Sequence, residues 1–261
     1  MASTRAMDGD RSGVSQDCRR FAVIATQRTG STLLVRSLDA APDIFCAGEI
    51  FRTAPRIHHG EYSYRQALAG SMLLGKAVDF AFGRRRVSAH LERFYAAAGI
   101  GMRAVGFKVM ASQLRRFRHI NTALRKLGVT LLFLHRRDTF ATALSYCRAR
   151  ASGIFHSDRI AGAVSAEPTA VDTAKFREML VHCEREKADL LALHAACGGS
   201  LFAYEDMADS WPSFVSSVGV ALGIDNLQLT AVLDKLDSAD PRHTVANEAE
   251  LRRLFGSRGN D

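Results

Sequence analysis

Residues 21–34 read Phe21-Ala-Val-Ile-Ala-Thr-Gln-Arg-Thr-Gly-Ser-Thr-Leu-Leu, and the rest of the chain can be placed around them. Phe21 to Ala25 is a short unbroken apolar run, the pattern of a strand buried on both faces. Thr26 to Gly30 is polar, with one cation, Arg28, and one glycine. From Ser31 to Leu38 the pattern turns helical, with Leu34 and Leu38 on one face. Strand, tight loop and helix N-terminus together make an anion site, because the first helical N–H groups lack intrahelical partners and the helix dipole adds partial positive charge. Arg28 contributes a full charge, and Thr29, Ser31 and Thr32 contribute hydroxyls. Taken alone, the stretch fits an ordinary βα turn equally well. It lacks the G-x-x-x-x-G-K-[ST] pattern that places a lysine on the β/γ-phosphates and a hydroxyl on magnesium.

The chain's 261 residues suffice for one large α/β domain or two small ones. A hydrophobic fraction of 47% and a charged fraction of 24% are those of a soluble globular protein. The net charge of +8 favours an anionic ligand, although surface arginines also serve solubility. Five cysteines, Cys18, Cys46, Cys147, Cys183 and Cys197, form no C-x-x-C pair, as expected of free thiols in a reducing compartment. The first twenty residues carry no apolar signal core, and no apolar run approaches the roughly 18 residues of a membrane span. The expectation is a cytoplasmic protein with a disordered leader over 1–20 and a single domain over 21–261.

Further along, Asp43 to Ala47 reads as a strand, with Gly48-Glu49 just beyond its end. Tyr62–Phe82 and Val87–Ala98 read as two helices joined at Arg84-Arg85-Arg86. Arg103–Met110 is a core strand ending near Lys108. Ser112–Leu127 reads as one basic helix, and no interleaved aromatics mark it as a nucleic-acid surface. Gly128–Leu134 is the clearest buried strand and runs into His135-Arg136-Arg137-Asp138. Asp138 is a candidate N-cap for the helix Thr139–Ala151. A long loop covers 152–168. Helices then cover Val171–Cys197, Trp211–Leu222, Leu227–Leu236 and Glu248–Phe255, with a short strand at Leu201–Tyr204. Alternating strands and helices predict an α/β fold, a parallel sheet covered by helices on both faces.

Three strand ends carry polar groups. The first is Arg28 to Thr32. The second is Arg137 with Ser145, which lies on a helix face shared by Ala141 and Arg148; Arg137 and Ser145 could hold one phosphate, or act as a surface cation and a back-bonding helix serine. The third is Glu49, a lone carboxylate at the sheet edge. Lys108 either touches the ligand or reaches solvent, and His135 has no assigned role.

In order, these segments resemble one family. Thr26-Gln-Arg-Thr-Gly-Ser-Thr-Leu-Leu is similar to the 5′-phosphosulfate loop of sulfotransferases that use 3′-phosphoadenosine-5′-phosphosulfate (PAPS). Arg137-Asp-Thr-Phe-Ala-Thr-Ala-Leu-Ser-Tyr resembles their 3′-phosphate motif. Gly48-Glu49 is similar to the Gly-Glu that supplies the base in the bacterial trehalose and nodulation-factor branch. Tyr204-Glu-Asp-Met, the following Leu-Gly-Ile-Asp and Val245-Ala-Asn-Glu resemble that branch's C-terminal segments. The cytosolic aryl and steroid branch has a lysine where Arg28 stands and a histidine base, so the resemblance runs to the carbohydrate branch, with Gly-Glu-Ile in place of its frequent Gly-Glu-Pro.

The resemblance implies a P-loop-like sulfotransferase fold and in-line transfer of a sulfuryl group from PAPS to a carbohydrate or glycolipid hydroxyl, without a metal. Arg28, Thr29, Gly30, Ser31, Thr32, Arg137 and Ser145 would bind the donor. Arg28 would also stabilise the leaving group, and Glu49 would act as general base. It implies no nucleic-acid partner and no transmembrane segment, and is compatible with a homodimer. The other readings of the same residues are a nucleotide-dependent P-loop kinase or NTPase, and a non-catalytic basic module for polyanions.

Overall fold

The computed structural model describes residues 18–52, 62–64, 75–117, 119–152, 170–232 and 245–256. Five parallel strands form one sheet: β1 (Arg19–Ala25), β2 (Ile44–Glu49), β3 (Ala104–Met110), β4 (Thr130–His135) and β5 (Ser200–Ala203), in the order β2-β3-β1-β4-β5. The helices are α1 (Ser31–Asp39), α2 (Gly75–Ala98), α3 (Ala111–Arg116), α4 (Ile120–Lys126), α5 (Thr139–Ser152), α6 (Thr173–Cys197), α7 (Tyr204–Asp209), α8 (Trp211–Leu222) and α9 (Glu248–Phe255). Among the described residues, no helix is long and apolar enough to cross a membrane.

β1 is the central strand because its apolar run serves both faces. Ala22 and Ile24 pack with Leu91 and Phe94 of α2, Leu114 of α3 and Leu124 of α4. Phe21, Val23 and Ala25 pack with Leu34 and Leu38 of α1 and with Phe214 and Val218 of α8. A third cluster joins Phe140 of α5, Phe176 and Leu180 of α6 and Leu251 of α9. From β1 the chain leaves toward β2 at one edge of the sheet, and from β4 it leaves toward β5 at the other. β1 and β4 therefore flank a topological switch point. In open α/β sheets the crevice beyond the strand ends at such a point is where ligands bind.

Gly106 of β3 allows the closest side-chain approach in the sheet. A Cβ there would stand 2.3–2.5 Å from ring atoms of Phe21, and Phe21 is fully buried. Gly106→Ala is therefore expected to destabilise the fold by about 2–3 kcal/mol, read as a lower denaturant midpoint. An unchanged midpoint would show that the Phe21 ring can move aside.

Several boundaries differ from the sequence reading. The strand starts at Arg19, inside the expected leader, because Arg19 N–H donates to Arg103 C=O at 2.9 Å while both leading arginines stay exposed. Arg84-Arg85-Arg86 lies within continuous α2 and does not mark a junction; Gly83 just before it stays helical, and Arg84 and Arg85 face solvent. The basic stretch after β3 is two short helices, because Phe117 turns inward against Phe51 and Tyr64 and ends α3. Tyr204 opens α7 and is not part of the last strand.

Residues 227–232 are not helical. Asn226 is left-handed (φ 54), Trp211 Nε1–H donates to Leu229 C=O at 2.8 Å, and Val232 N–H donates to Ser37 Oγ at 3.4 Å. Side chains thus hold this segment along α8 and α1 in place of helical bonds. The expected leader up to 17, most of the expected helix over 65–82, the loop over 153–168 and residues 233–236 lie outside the described residues or their described side chains.

Helix α6 is anchored to two places along the sheet edge. Arg115 of α3 pairs with Glu186 and Asp189, and Lys187 Nζ donates to the Arg137 carbonyl at 2.8 Å. Both anchors occupy a single turn of one helix.

Candidate active site

The loop after β1 turns through two left-handed residues, Arg28 (φ 62) and Gly30 (φ 74). For a non-glycine residue this conformation is uncommon and marks a constrained loop. Gly30 is required for a second reason. A Cβ there would stand 2.3 Å from Met207 Cε and 2.8 Å from the Tyr204 ring. Thr29 is 1% exposed and its hydroxyl donates inward to Thr26 C=O at 2.9 Å, which leaves only its backbone N–H for a ligand. Helix α1 has no side-chain cap and no acid in its first turn. Helix α5 is capped by Asp138, whose Oδ1 accepts from Ala141 N–H at 2.7 Å, and α6 and α8 are capped by Asp172 and Ser210, while α4, α7 and α9 share with α1 the lack of a side-chain cap.

Across the switch point, Arg28 Nε–H donates to Ser145 Oγ at 2.9 Å. The phosphate-type loop and the second turn of α5 are therefore in direct contact. Arg137 lies at the mouth of the same helix, exposed, with its guanidinium on Asp206 at 2.6 Å. The sequence reading placed Arg137 and Ser145 on one phosphate; in the structure Ser145 meets Arg28, and Arg137 meets Asp206.

The β4–α5 turn is held from α7. Glu205 Oε2 accepts from Arg137 N–H at 3.0 Å and its Oε1 from Asp138 N–H at 3.2 Å. Arg136 lies over the Tyr204 ring at 4.5 Å. His135 is half-buried, and burial, with Lys187 adding like charge, pushes its imidazole below the usual histidine range.

At the other end of the edge, β2 carries a bulge. Ala47 pairs with Phe107 and Glu49 pairs with Lys108, which leaves Gly48 as the extra residue. Bulges re-aim side chains at strand ends, and here the bulge brings Glu49 opposite Lys108. Glu49 thus belongs to the strand end and does not lie beyond it. Lys108 Nζ stands 3.4 Å from Glu49 Oε1, and Gln113 Nε2–H donates to Glu49 Oε2 at 2.8 Å. Lys108 is 7% exposed, so the alternative of a lysine reaching solvent is overturned. Burial lowers its ammonium below the usual lysine range, and Glu49 partly offsets this. Two strand spacings, about 10 Å, separate β2 from β1 across the sheet.

Sequence reasoning missed Gln113, Tyr204 and Glu205 as residues that shape this edge. Gln113 did carry a signal: a glutamine at the third position of a helix that starts directly after a strand is one half of a capping box. Its side-chain oxygen accepts from Met110 N–H at 3.1 Å. Among the described residues, no three His, Cys, Asp or Glu side chains gather as a metal site.

The family model of the Stf0 sulphotransferases matches residues 20–242, a span that runs from the second residue of β1 through β5 and includes both loops at the switch point. The chain belongs to the Stf0 sulphotransferase family. Among solved structures it is similar to a sulfotransferase from Alicyclobacillus acidocaldarius, at 14% identity over 92% of each chain with a TM-score of 0.47. It is also similar to the sulfotransferase domain of the Synechococcus PCC 7002 olefin synthase, at 17% identity over 96% of this chain and 98% of that one, with a TM-score of 0.49. A sulfotransferase from Mycobacterium avium matches at 13% identity over 93% of this chain and 76% of that one, with a TM-score of 0.47. No curated protein matches the sequence at a significant level. A sulfotransferase has to seat a donor and a hydroxyl acceptor side by side, and this edge offers a cationic half at β1 and β4 and a carboxylate half at β2.

Proposed function

We propose that this sulfotransferase uses PAPS as donor and a carbohydrate or glycolipid hydroxyl as acceptor. The observation that carries the reading is the Arg28–Ser145 hydrogen bond, which joins the loop and α5 across the switch point. The donor set suits a nucleotide with two phosphate groups. The N–H groups of Gly30, Ser31 and Thr32 open a helix without a side-chain cap, Arg28 lies beside them, and Arg137 supplies a second, exposed guanidinium. PAPS, when bound, supplies a sulfuryl group already attached to a phosphate leaving group.

Arg28 and the α1 N–H groups hold the 5′-phosphate and neutralise charge as it develops there. Arg137 and Ser145 hold the 3′-phosphate, with Arg137 exchanging Asp206 for it. Glu49 accepts the proton of the acceptor hydroxyl. As in phosphoryl transfer, the protein contributes position and charge. A carboxylate base, where the aryl and steroid branch has histidine, supports a sugar acceptor.

Transfer from labelled PAPS to a panel of sugars, glycolipids, phenols and steroids tests this reading. Label on sugars or glycolipids is expected, and label confined to phenols or steroids would overturn the acceptor class. Arg137→Ala is expected to weaken binding of adenosine 3′,5′-bisphosphate roughly tenfold to a hundredfold, the worth of a charge-assisted hydrogen bond. Equal affinity by calorimetry would remove Arg137 from the 3′-phosphate.

A further inference from the structure

We propose that Gln113 is a positioning residue that sets the direction of the Glu49 carboxylate, an inference that rests on the reading of Glu49 as general base. The orientation of its amide follows from chemistry. Met110 N–H can only donate and an ionised carboxylate can only accept, so the amide oxygen must face Met110 and the amide nitrogen must face Glu49. The two contacts, 3.1 Å and 2.8 Å, use both ends of one rigid plane. Gln113 thereby references the carboxylate to the end of β3, not to the strand that carries it.

That reference matters because Glu49 comes directly after a bulge. Gly48 is outside the strand register, and among the described residues nothing lies within 4 Å of where its Cβ would be; the peptide before Glu49 is held by Ile50 N–H, which donates to the Gly48 carbonyl at 3.0 Å, a contact that fixes the backbone and not the carboxylate. Lys108 supplies charge but less direction. Its 3.4 Å approach is longer than the roughly 2.7–2.9 Å of a charge-assisted hydrogen bond. Gln113 itself is well anchored: it sits on α3, whose Arg115 is held by Glu186 and Asp189 of α6. Among the described residues, the charged and titratable groups that act on Lys108 beside Glu49 are Glu49 itself, Arg52 and Cys46. The Cys46 thiol is pushed well up by burial and stays neutral.

The test compares the full-length wild type with Gln113→Met, Gln113→Glu and Glu49→Gln. Turnover is measured with labelled PAPS and the sugar that performs best in the acceptor panel. Donor-site binding is measured by calorimetry with adenosine 3′,5′-bisphosphate, and the Glu49 carboxyl is titrated by carbon NMR. Gln113→Met is expected to lower kcat at least tenfold, with nucleotide affinity and acceptor KM within twofold of wild type and with the Glu49 titration moved upward. Gln113→Glu, equal in size, sets two carboxylates against each other and is expected to raise the acid limb of the pH–rate profile by a unit or more. If Glu49→Gln is inactive while both Gln113 variants keep wild-type kcat and acid limb, the positioning role is wrong and the base reading stands. If Gln113→Met loses nucleotide affinity together with kcat, its role is structural and the proposal is overturned. If Glu49→Gln keeps its turnover, or no sugar accepts label, the base and acceptor reading fails first and takes this proposal with it.

Discussion

Glu49→Gln is expected to lower kcat by about 10²–10⁴, the usual worth of general-base catalysis, while leaving affinity for adenosine 3′,5′-bisphosphate unchanged. The substitution keeps the size of the side chain and removes its charge and with it its ability to take a proton. The half of the edge proposed to bind the nucleotide, on β1 and β4, is separated from β2 by β3, so donor binding is expected not to change. The variant also removes the counter-charge of Lys108, a buried ammonium, and an uncompensated buried charge destabilises a fold. A lower thermal midpoint is thus expected alongside the loss of turnover. Lys108→Met in the same chain separates the two effects: it should restore the midpoint and leave turnover lost. Near-normal turnover in Glu49→Gln would remove this carboxylate from the chemistry.

Arg28→Ala is expected to cost about 10²–10³ in kcat, the scale of losing one preorganised donor at a developing charge. Arg28→Gly is the informative companion. Arg28 adopts φ 62, a conformation in which glycine is unstrained and alanine is not. Equal losses in the two variants assign the effect to the guanidinium. A loss in Arg28→Ala that Arg28→Gly repairs would assign it to the backbone and would place leaving-group stabilisation elsewhere. Ser145→Ala removes the acceptor of the Arg28 Nε–H and should give a smaller loss than either.

The apolar runs were legible as strands because a strand buried on both faces leaves a contiguous signature, as in Phe21–Ala25 and Leu132–Leu134. The shared edge of Arg28 and Ser145 was legible too, since both come after strands of one parallel sheet. What local pattern hid was decided by tertiary contacts. Phe117 breaks the basic stretch because its ring packs on Phe51 and Tyr64, which no spacing in the sequence announces. Arg84–Arg86 reads as a junction but continues a helix, because arginine is a good helix former and the single glycine before it, Gly83, does not end the helix. The partner of Glu49 was hidden for a different reason. The contact with Gln113 depends on the one-residue slip at Gly48, and without that slip Gly48, not Glu49, would pair with Lys108. Glu205 and Asp206 stood out only by resemblance, and their work at the β4–α5 turn is visible only in three dimensions.

The position of α6 has a mechanical consequence. Its residues 186, 187 and 189 hold α3, which carries Gln113, and the Arg137 carbonyl, which opens the cationic half. One turn of α6 thus ties the Gln113 side of the edge to the Arg137 side, in addition to the hydrogen-bonded register that β3, β1 and β4 share. On the in-line transfer proposed above, where an ångström of misplacement is costly, the helix acts as a brace across the edge, and altering its length or pitch near Glu186 is expected to slow transfer without touching a residue proposed to bind ligand.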